Sequence, residues 1–189
     1  MTSSRKSLCS PASCSVVIPA YNAERWLGRT LDSVLAQTYP LRQIVVVDDG
    51  STDRTPQVLE EYEDQILMIR QNNGGVAAAR NAGSVLTDST HLAFLDADDI
   101  WEADKVRKQM SCFDSDPRLV MVQCGLIEID GTGEELSGEV LVGRSGDLYR
   151  DLFLQESAVR GGGSGVVFDR EVFDAVGDNL CVRLLVPTT

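Results

Sequence analysis

The sequence predicts an α/β fold with a mostly parallel central sheet flanked by helices. Short β-branched runs alternate with helix-period patterns through about residue 115. The runs are continuously apolar rather than alternating, as in strands buried on both faces. The chain has 189 residues, 43% hydrophobic and 24% charged, which suits one domain with a core of its own.

Taken in order, residues 16–18 (Val-Val-Ile) form a first strand that Pro19 stops. Residues 23–37 carry Leu27, Leu31, Val34 and Leu35 on one stripe of a helix. Residues 44–47 are the second strand. Thr55 then caps a helix with Pro56 at its first position and Val58, Leu59 and Tyr62 facing inward. Residues 66–69 are a third strand, 76–86 a helix of small residues, and 92–95 a fourth strand. Val106, Met110 and Phe113 mark the next helix. After Pro117 the pattern changes to strands at 119–123 and 126–129 and a turn at Asp130-Gly131-Thr132-Gly133. A weak helix over 147–155, a glycine-rich stretch at 161–165 and a strand at 166–168 follow.

Charge narrows the function. Lys plus Arg total 17 against 29 Asp plus Glu, a net −12, and such a surface repels nucleic-acid phosphates and anionic lipid. The five cysteines, Cys9, Cys14, Cys112, Cys124 and Cys181, form no CxxC, and His91 is the single histidine. They read as reduced thiols of a cytoplasmic protein rather than a zinc site or a disulfide framework, and His91 reads as structural. No apolar run approaches the roughly 18 residues of a membrane span. Ser7, Ser10, Pro11, Ser13 and Ser15 interrupt any signal-peptide core, so residues 1–14 read as a disordered leader.

In an open parallel sheet, ligands bind beyond the carboxyl ends of the strands. Those ends carry Pro19-Ala20-Tyr21-Asn22, then Asp48-Asp49-Gly50, then Asn72-Asn73-Gly74-Gly75, then Asp96-Ala97-Asp98-Asp99. Asp96 and Asp98, two apart, point to one side of an extended segment, an arrangement of hard oxygen ligands suited to Mg²⁺ or Mn²⁺ bridging to phosphates. The competing reading is a solvated acidic turn capping the helix that starts near Trp101. Tyr21 offers a face for a nucleobase, and Asp49 a carboxylate for a base N–H. Gly74 and Gly75 permit close backbone approach at a helix N-terminus, which favours phosphate, and equally make a tight turn. Arg80 has two readings of equal weight, facing a pyrophosphate or pairing with a carboxylate. The absence of GxxxxGK[ST], GxGxxG and GxSxG disfavours P-loop hydrolases, nicotinamide dehydrogenases and serine hydrolases.

The stretches VVIPAYN (16–22), VVVDDGSTDRT (45–55), NNGGVAAARNAG (72–83) and FLDADDIWEADKV (94–106) resemble family 2 glycosyltransferases of the GT-A type, a Rossmann-like nucleotide-diphospho-sugar transferase fold. SGVVFDREVFDAVG (164–177) is similar to the strand and helix that close the acceptor side of these enzymes. The resemblance implies a donor half over 15–115 and a partial acceptor half over 116–177. It implies inverting, metal-assisted transfer of a sugar from a nucleotide diphosphate, usually of uridine, to a saccharide or lipid-linked acceptor. Pro19, Ala20, Tyr21, Asn22, Asp49, Gly74, Gly75, Arg80, Asp96 and Ala97 would hold the donor. Asp98, with Asp96, would hold Mg²⁺ or Mn²⁺, and Asp99, Trp101, Gly163 and Ser164 would border the acceptor. The product would serve polysaccharide or cell-envelope synthesis, in the cytoplasm or peripherally at the inner face of the membrane. In the family an acidic pair beyond the position of Gly177 supplies the general base. Here residues 178–189 contain no acid after Asp178, so they read as an atypical tail of a truncated chain, and no catalytic base is assigned. A nucleotide-sugar-binding chain without transfer activity is the alternative. A nucleotidyltransferase is a weaker third, since PAYN stands where its basic glycine-rich loop belongs.

Overall fold

The computed structural model describes residues 12–142 and 163–176. The expected helix at 147–155, Gly161, Gly162 and the 178–189 tail lie outside the described residues. Strands β1 (Cys14–Ala20), β2 (Gln43–Asp48), β3 (Leu67–Arg70) and β4 (His91–Phe94) alternate with helices α1 (Leu27–Leu35), α2 (Thr55–Glu60) and α3 (Val76–Val85). Then come α4 (Lys105–Ser115), β5 (Met121–Gln123), β6 (Leu126–Ile129), β7 (Glu135–Leu141), β8 (Val166–Asp169) and α5 (Arg170–Val176). The main sheet has the order β3-β2-β1-β4-β8-β5, and β6 and β7 form a separate two-stranded sheet. β1 pairs in parallel with β2 and β4, and β2 with β3, whereas β8 runs antiparallel to both β4 and β5.

The pleat divides the core into two layers. Val16, Ile18 and Val46 face α1, α2 and α4, packing with Leu27, Leu31, Leu59, Val106 and Met110. Val17, Val45 and Val47 face α3 and α5, packing with Ala79, Phe94, Phe168 and Phe173. Helix α3 sits so close to β1 and β2 that a Cβ on Gly83 would overlap the Val17 side chain and lie 3.0 Å from Val47. This is why the helix is made of small residues.

Five expectations change. Thr55 does not cap α2: it lies inside the helix after Arg54, and its Oγ1 accepts from Ala23 N–H instead. Pro19 does not stop β1, which continues to Ala20. Val17 O accepts from Leu95 N–H on the β4 side. Pro19, two residues on, turns its missing N–H to that same side, beyond the end of β4. β1 also begins inside the stretch read as leader: Cys14 is fully buried, and Ser13 N–H donates to Thr90 Oγ1. Helix α1 starts at Leu27 rather than 23: residues 24–26 form a turn in which Ala23 O accepts from the N–H groups of Trp26 and Leu27, and Ala23 N–H donates to Thr55 Oγ1. Finally, β7 was not expected. Its sequence ELSGEVL is almost wholly exposed and so lacks the apolar run that marks a buried strand.

Candidate functional site

The four strand ends meet above the parallel edge of the sheet and are stitched to one another. Asn22, at φ 50, takes the left-handed conformation that asparagine tolerates. Its N–H donates to Ser51 Oγ (3.0 Å), and its Oδ1 accepts from Thr52 N–H (2.8 Å). The turn after β1 is thus tied to the turn after β2, with Tyr21 half exposed between them. Pro19 and Ala20 lie in β1 itself and are buried.

Asp49 is not a free base-reader. Its carboxylate is buried and accepts from Gln71 Nε2 (2.7 Å), Gly74 N–H (2.9 Å) and Gly75 N–H (2.8 Å). It holds the 72–75 loop against β2, so the backbone N–H groups of Gly74 and Gly75 point at Asp49 rather than at a phosphate. Gly75, at φ 85, is the residue before the first turn of α3, a backbone position that other residues seldom adopt. Asp48 turns inward too: its Oδ1 accepts from Ser51 N–H and its Oδ2 lies 3.4 Å from Arg70.

Of the two readings of Arg80, the structure shows the carboxylate pair. Its buried guanidinium donates to Asp96 Oδ1 and lies 5.7 Å over the Phe94 ring. A Cβ on Gly163 would come within 2.6 Å of the guanidinium, so Gly163 leaves room for Arg80. Ser164, also buried, is the hub of this corner. Its Oγ accepts from Asp96 N–H (3.0 Å) and bonds the Asp99 carboxyl, and its carbonyl accepts from Trp101 Nε1 (2.9 Å). Trp101, expected at the acceptor border, is therefore part of the core, with 5% exposure. Thr30 Oγ1 donates to Ala97 O (2.9 Å), which ties α1 to the turn after β4.

These anchors leave the Asp98 carboxylate exposed, with no hydrogen bond or ion pair among the described residues. Partial burial raises the pKa of Asp99, the charges of Asp96 and Asp98 raise it further, and Ser164 opposes them. Asp96 keeps one oxygen free of Arg80. No group of three or more metal-ligating side chains occurs among the described residues. A Mg²⁺- or Mn²⁺-type ion bound through one or two carboxylates and completed by phosphate oxygens needs no such group. The donor set of Asp98 and Asp96 fits that mode.

The acidic turn forms one end of a cleft of about 860 Å³. Trp26 and Arg29 of the α1 start line it, as do Ile100 and the β6–β7 hairpin. None of Trp26, Arg29 or the hairpin was singled out from the sequence, since only the fold carries residues 126–141 to α1. A second group was also missed. Lys105 Nζ is buried 3.9 Å from the Trp101 ring centre and donates to Gln109 Oε1 (2.8 Å). Gln109 Nε2 donates to Val122 O and Gly165 O, both at 2.9 Å. Trp101, Lys105 and Gln109 recur every four residues, with Trp101 just ahead of α4 and the other two on one face of it, and that spacing is the signal that could have found them. Burial lowers the Lys105 pKa to about 8 and pushes the Cys14 thiol up to about 12. His91 stacks at 4.3 Å on Phe113 at the opposite end of β4 from the acidic turn, in keeping with a structural role.

Known proteins resemble the chain in sequence and fold. The chain is 40% identical over 126 residues to an uncharacterized glycosyltransferase of Nostoc sp., covering 65% of this chain and 39% of that protein. It is 38% identical over 99 residues to the UDP-Glc:alpha-D-GlcNAc-diphosphoundecaprenol beta-1,3-glucosyltransferase of Escherichia coli, covering 51% and 39%. It thus spans about two fifths of the length of these relatives. A mannosyltransferase of Pyrobaculum calidifontis, solved with GDP-Man and Mn²⁺, superposes with a TM-score of 0.64 at 25% identity, covering 87% of this chain and 46% of that one. The sequence profile described as Glycosyl transferase family 2 matches residues 15–177, the stretch that builds both the sheet and the strand-end crevice, and the chain belongs to that family.

Proposed function

We propose that the protein transfers a sugar, with inversion, from a nucleotide diphosphate donor, a UDP-sugar first, to a saccharide or lipid-linked acceptor. The observation that carries this reading is the unpartnered Asp98 carboxylate, set beside Asp96 and Asp99 at a crevice whose other residues are locked in place. Tyr21 presents the exposed ring on which the base stacks, and Asp49 acts indirectly by fixing the loop that borders it. Asp98 and Asp96 would hold a divalent cation, Mg²⁺ or Mn²⁺, which stabilises a departing diphosphate as a Lewis acid. Arg80 pairs with the Asp96 carboxylate and orients it, and Ser164 fixes the backbone of the same turn. Relatives acting on UDP-Glc and solved with GDP-Man and Mn²⁺ support a nucleotide-sugar donor. The reading places the protein in the cytoplasm, peripheral to the membrane when the acceptor is lipid-linked. No helix among the described residues is long and apolar enough to cross a membrane.

Calorimetric titration with UDP tests the donor site. Binding is expected with Mn²⁺, lost with EDTA, and weakened at least tenfold by Asp98→Ala at unchanged melting temperature. Equal binding by the variant would sink the assignment, and repeats with GDP and dTDP identify the nucleotide. Donor binding with no transfer to any acceptor would favour the second reading, a nucleotide-sugar-binding chain without a general base.

A further inference from the structure

We infer that Thr30 of α1 is a positioning residue for Asp98: by holding the Ala97 carbonyl, its hydroxyl fixes the direction in which the open carboxylate of the acidic turn points. What that direction serves, a cation and a donor diphosphate, rests on the transfer reading.

The Asp98 carboxylate has no hydrogen bond or ion pair among the described residues, so its place is set by the backbone on either side. On the far side, Asp99 N–H closes the turn onto Asp96 O (3.1 Å), and Asp96 N–H is held in turn by Ser164 Oγ (3.0 Å). Between these anchors lies the Ala97–Asp98 peptide, a rigid plane that carries the Ala97 carbonyl at one edge and the Asp98 N–H at the other. Rotation of that plane swings the Asp98 side chain. Thr30 Oγ1, 2.9 Å from the carbonyl oxygen, is the hydrogen bond that opposes the rotation.

The hydroxyl has an alternative in its own helix. Helical threonines can donate to the carbonyl four residues back. Here that carbonyl, Trp26 O, is 3.4 Å from Thr30 Oγ1 and already accepts from Thr30 N–H (3.2 Å). With one proton to give, the fully buried hydroxyl gives it across the fold to Ala97. The other buried residues of α1 are Leu27, Leu31 and Val34, so packing alone calls for no hydroxyl at this position. A buried hydroxyl is costly unless bonded, and its bond is to the acidic turn.

The same face of α1 repeats the pattern. Ser33 Oγ donates to Thr30 O (2.7 Å) and accepts from Trp101 N–H (3.1 Å). Gln37, just past the end of α1, donates through Nε2 to Glu102 O (2.8 Å) and accepts from Val106 N–H (3.1 Å). Residues 30, 33 and 37 share one face by helical spacing, and in that order they hold residues 97, 101 and 102. The helix thereby sets the register of the whole segment that begins at Asp98, and Thr30 is the contact next to the carboxylate.

Two conservative variants separate positioning from packing. Thr30→Val keeps the side chain's shape and removes the hydroxyl, whereas Thr30→Ser keeps the hydroxyl and removes a methyl group. A packing role makes serine the worse variant, and a positioning role makes valine the worse. The readout is hydrogen exchange of the Asp99 amide in the full chain without metal or UDP, compared with the Thr52 amide that Asn22 holds at a distant turn. Relative to Thr52, exchange at Asp99 is expected to be about tenfold faster in Thr30→Val and close to the unsubstituted rate in Thr30→Ser. UDP binding with Mn²⁺ should follow the same order, about tenfold weaker with valine and near normal with serine. Exchange unchanged by valine, faster with serine than with valine, or raised no more at Asp99 than at Thr52 overturns the inference. So does UDP–Mn²⁺ binding undiminished in Thr30→Val. Failure of the transfer reading looks different: the unsubstituted chain itself then does not bind UDP with Mn²⁺, and the exchange order, measured without either, still decides whether Thr30 sets the turn.

Discussion

The two walls of the cleft are held by different physics. On the strand-end side, buried side chains spend their hydrogen bonds on neighbouring strand ends: Asp49 on the 72–75 loop, Thr55 on Ala23, Ser164 on Asp96. Across the cleft, the β6–β7 hairpin is mostly exposed, carries a bulge between Ile127 and Ile129, and is tethered to α1 by long Arg29 contacts and by Gly131 against Trp26. A buried polar group that loses its partner costs about 1–3 kcal/mol, whereas an exposed tether costs little. The strand-end wall therefore has one geometry, and the hairpin wall is freer to vary.

Glycine substitutions break this comparison most sharply. At Gly83 a new Cβ would strike β-branched core valines that cannot yield, so Gly83→Val should abolish cooperative unfolding, and Gly83→Ala should cost about 1–3 kcal/mol in urea melts. Asp49→Ala comes next. It orphans the Gly74 and Gly75 N–H groups and the Gln71 amide, for about 2–4 kcal/mol in the same melts and loss of UDP binding. If Asp49→Ala binds UDP normally, the loop it secures does not border the donor.

Lys105 gives a smaller, pH-dependent effect. Folded, its amine releases its proton near pH 8, against 10.5 for the unreacted side chain. Between these values the unfolded state binds more protons, so stability rises with pH and the cost of burying the charge is fully present below 8. The gain should be about 1 kcal/mol from pH 8 to 9 when read as the difference from Lys105→Met, which shares the opposing loss from Cys14, whose thiol is held up to about 12 only in the folded protein. A flat difference between the two proteins over that interval would contradict it. Least affected should be Gly138→Ala in β7. There the space is open and only the φ of 63° resists, so about 1 kcal/mol is expected, with donor binding unchanged.

Much of this was legible before any coordinates. The β-α alternation, the four strand-end motifs and the acidic turn are local patterns, because side-chain periods of 2 and 3.6 are written into neighbouring residues. So was the small-residue character of α3. The role of each side chain was less legible. Asp49 and Asp98 both read as ligand-facing acids, yet one is bonded on both oxygens and the other is open to solvent. Trp101 read as a cleft wall and is a buried donor to Ser164, 63 residues away.

By itself, then, the sequence determined the parallel α/β core and the family motifs at its carboxyl edge, since burial on both faces demands continuous apolar runs and tight turns demand particular residues. Tertiary structure alone decided that β8 returns antiparallel between β4 and β5, that Arg80 serves Asp96, and that a polar, exposed hairpin crosses to Arg25, Trp26 and Arg29. These contacts join residues 16 to more than 100 positions apart. Which partner satisfies a buried charge or an unpaired strand is fixed by what the completed fold brings within hydrogen-bond reach, and no local period encodes that.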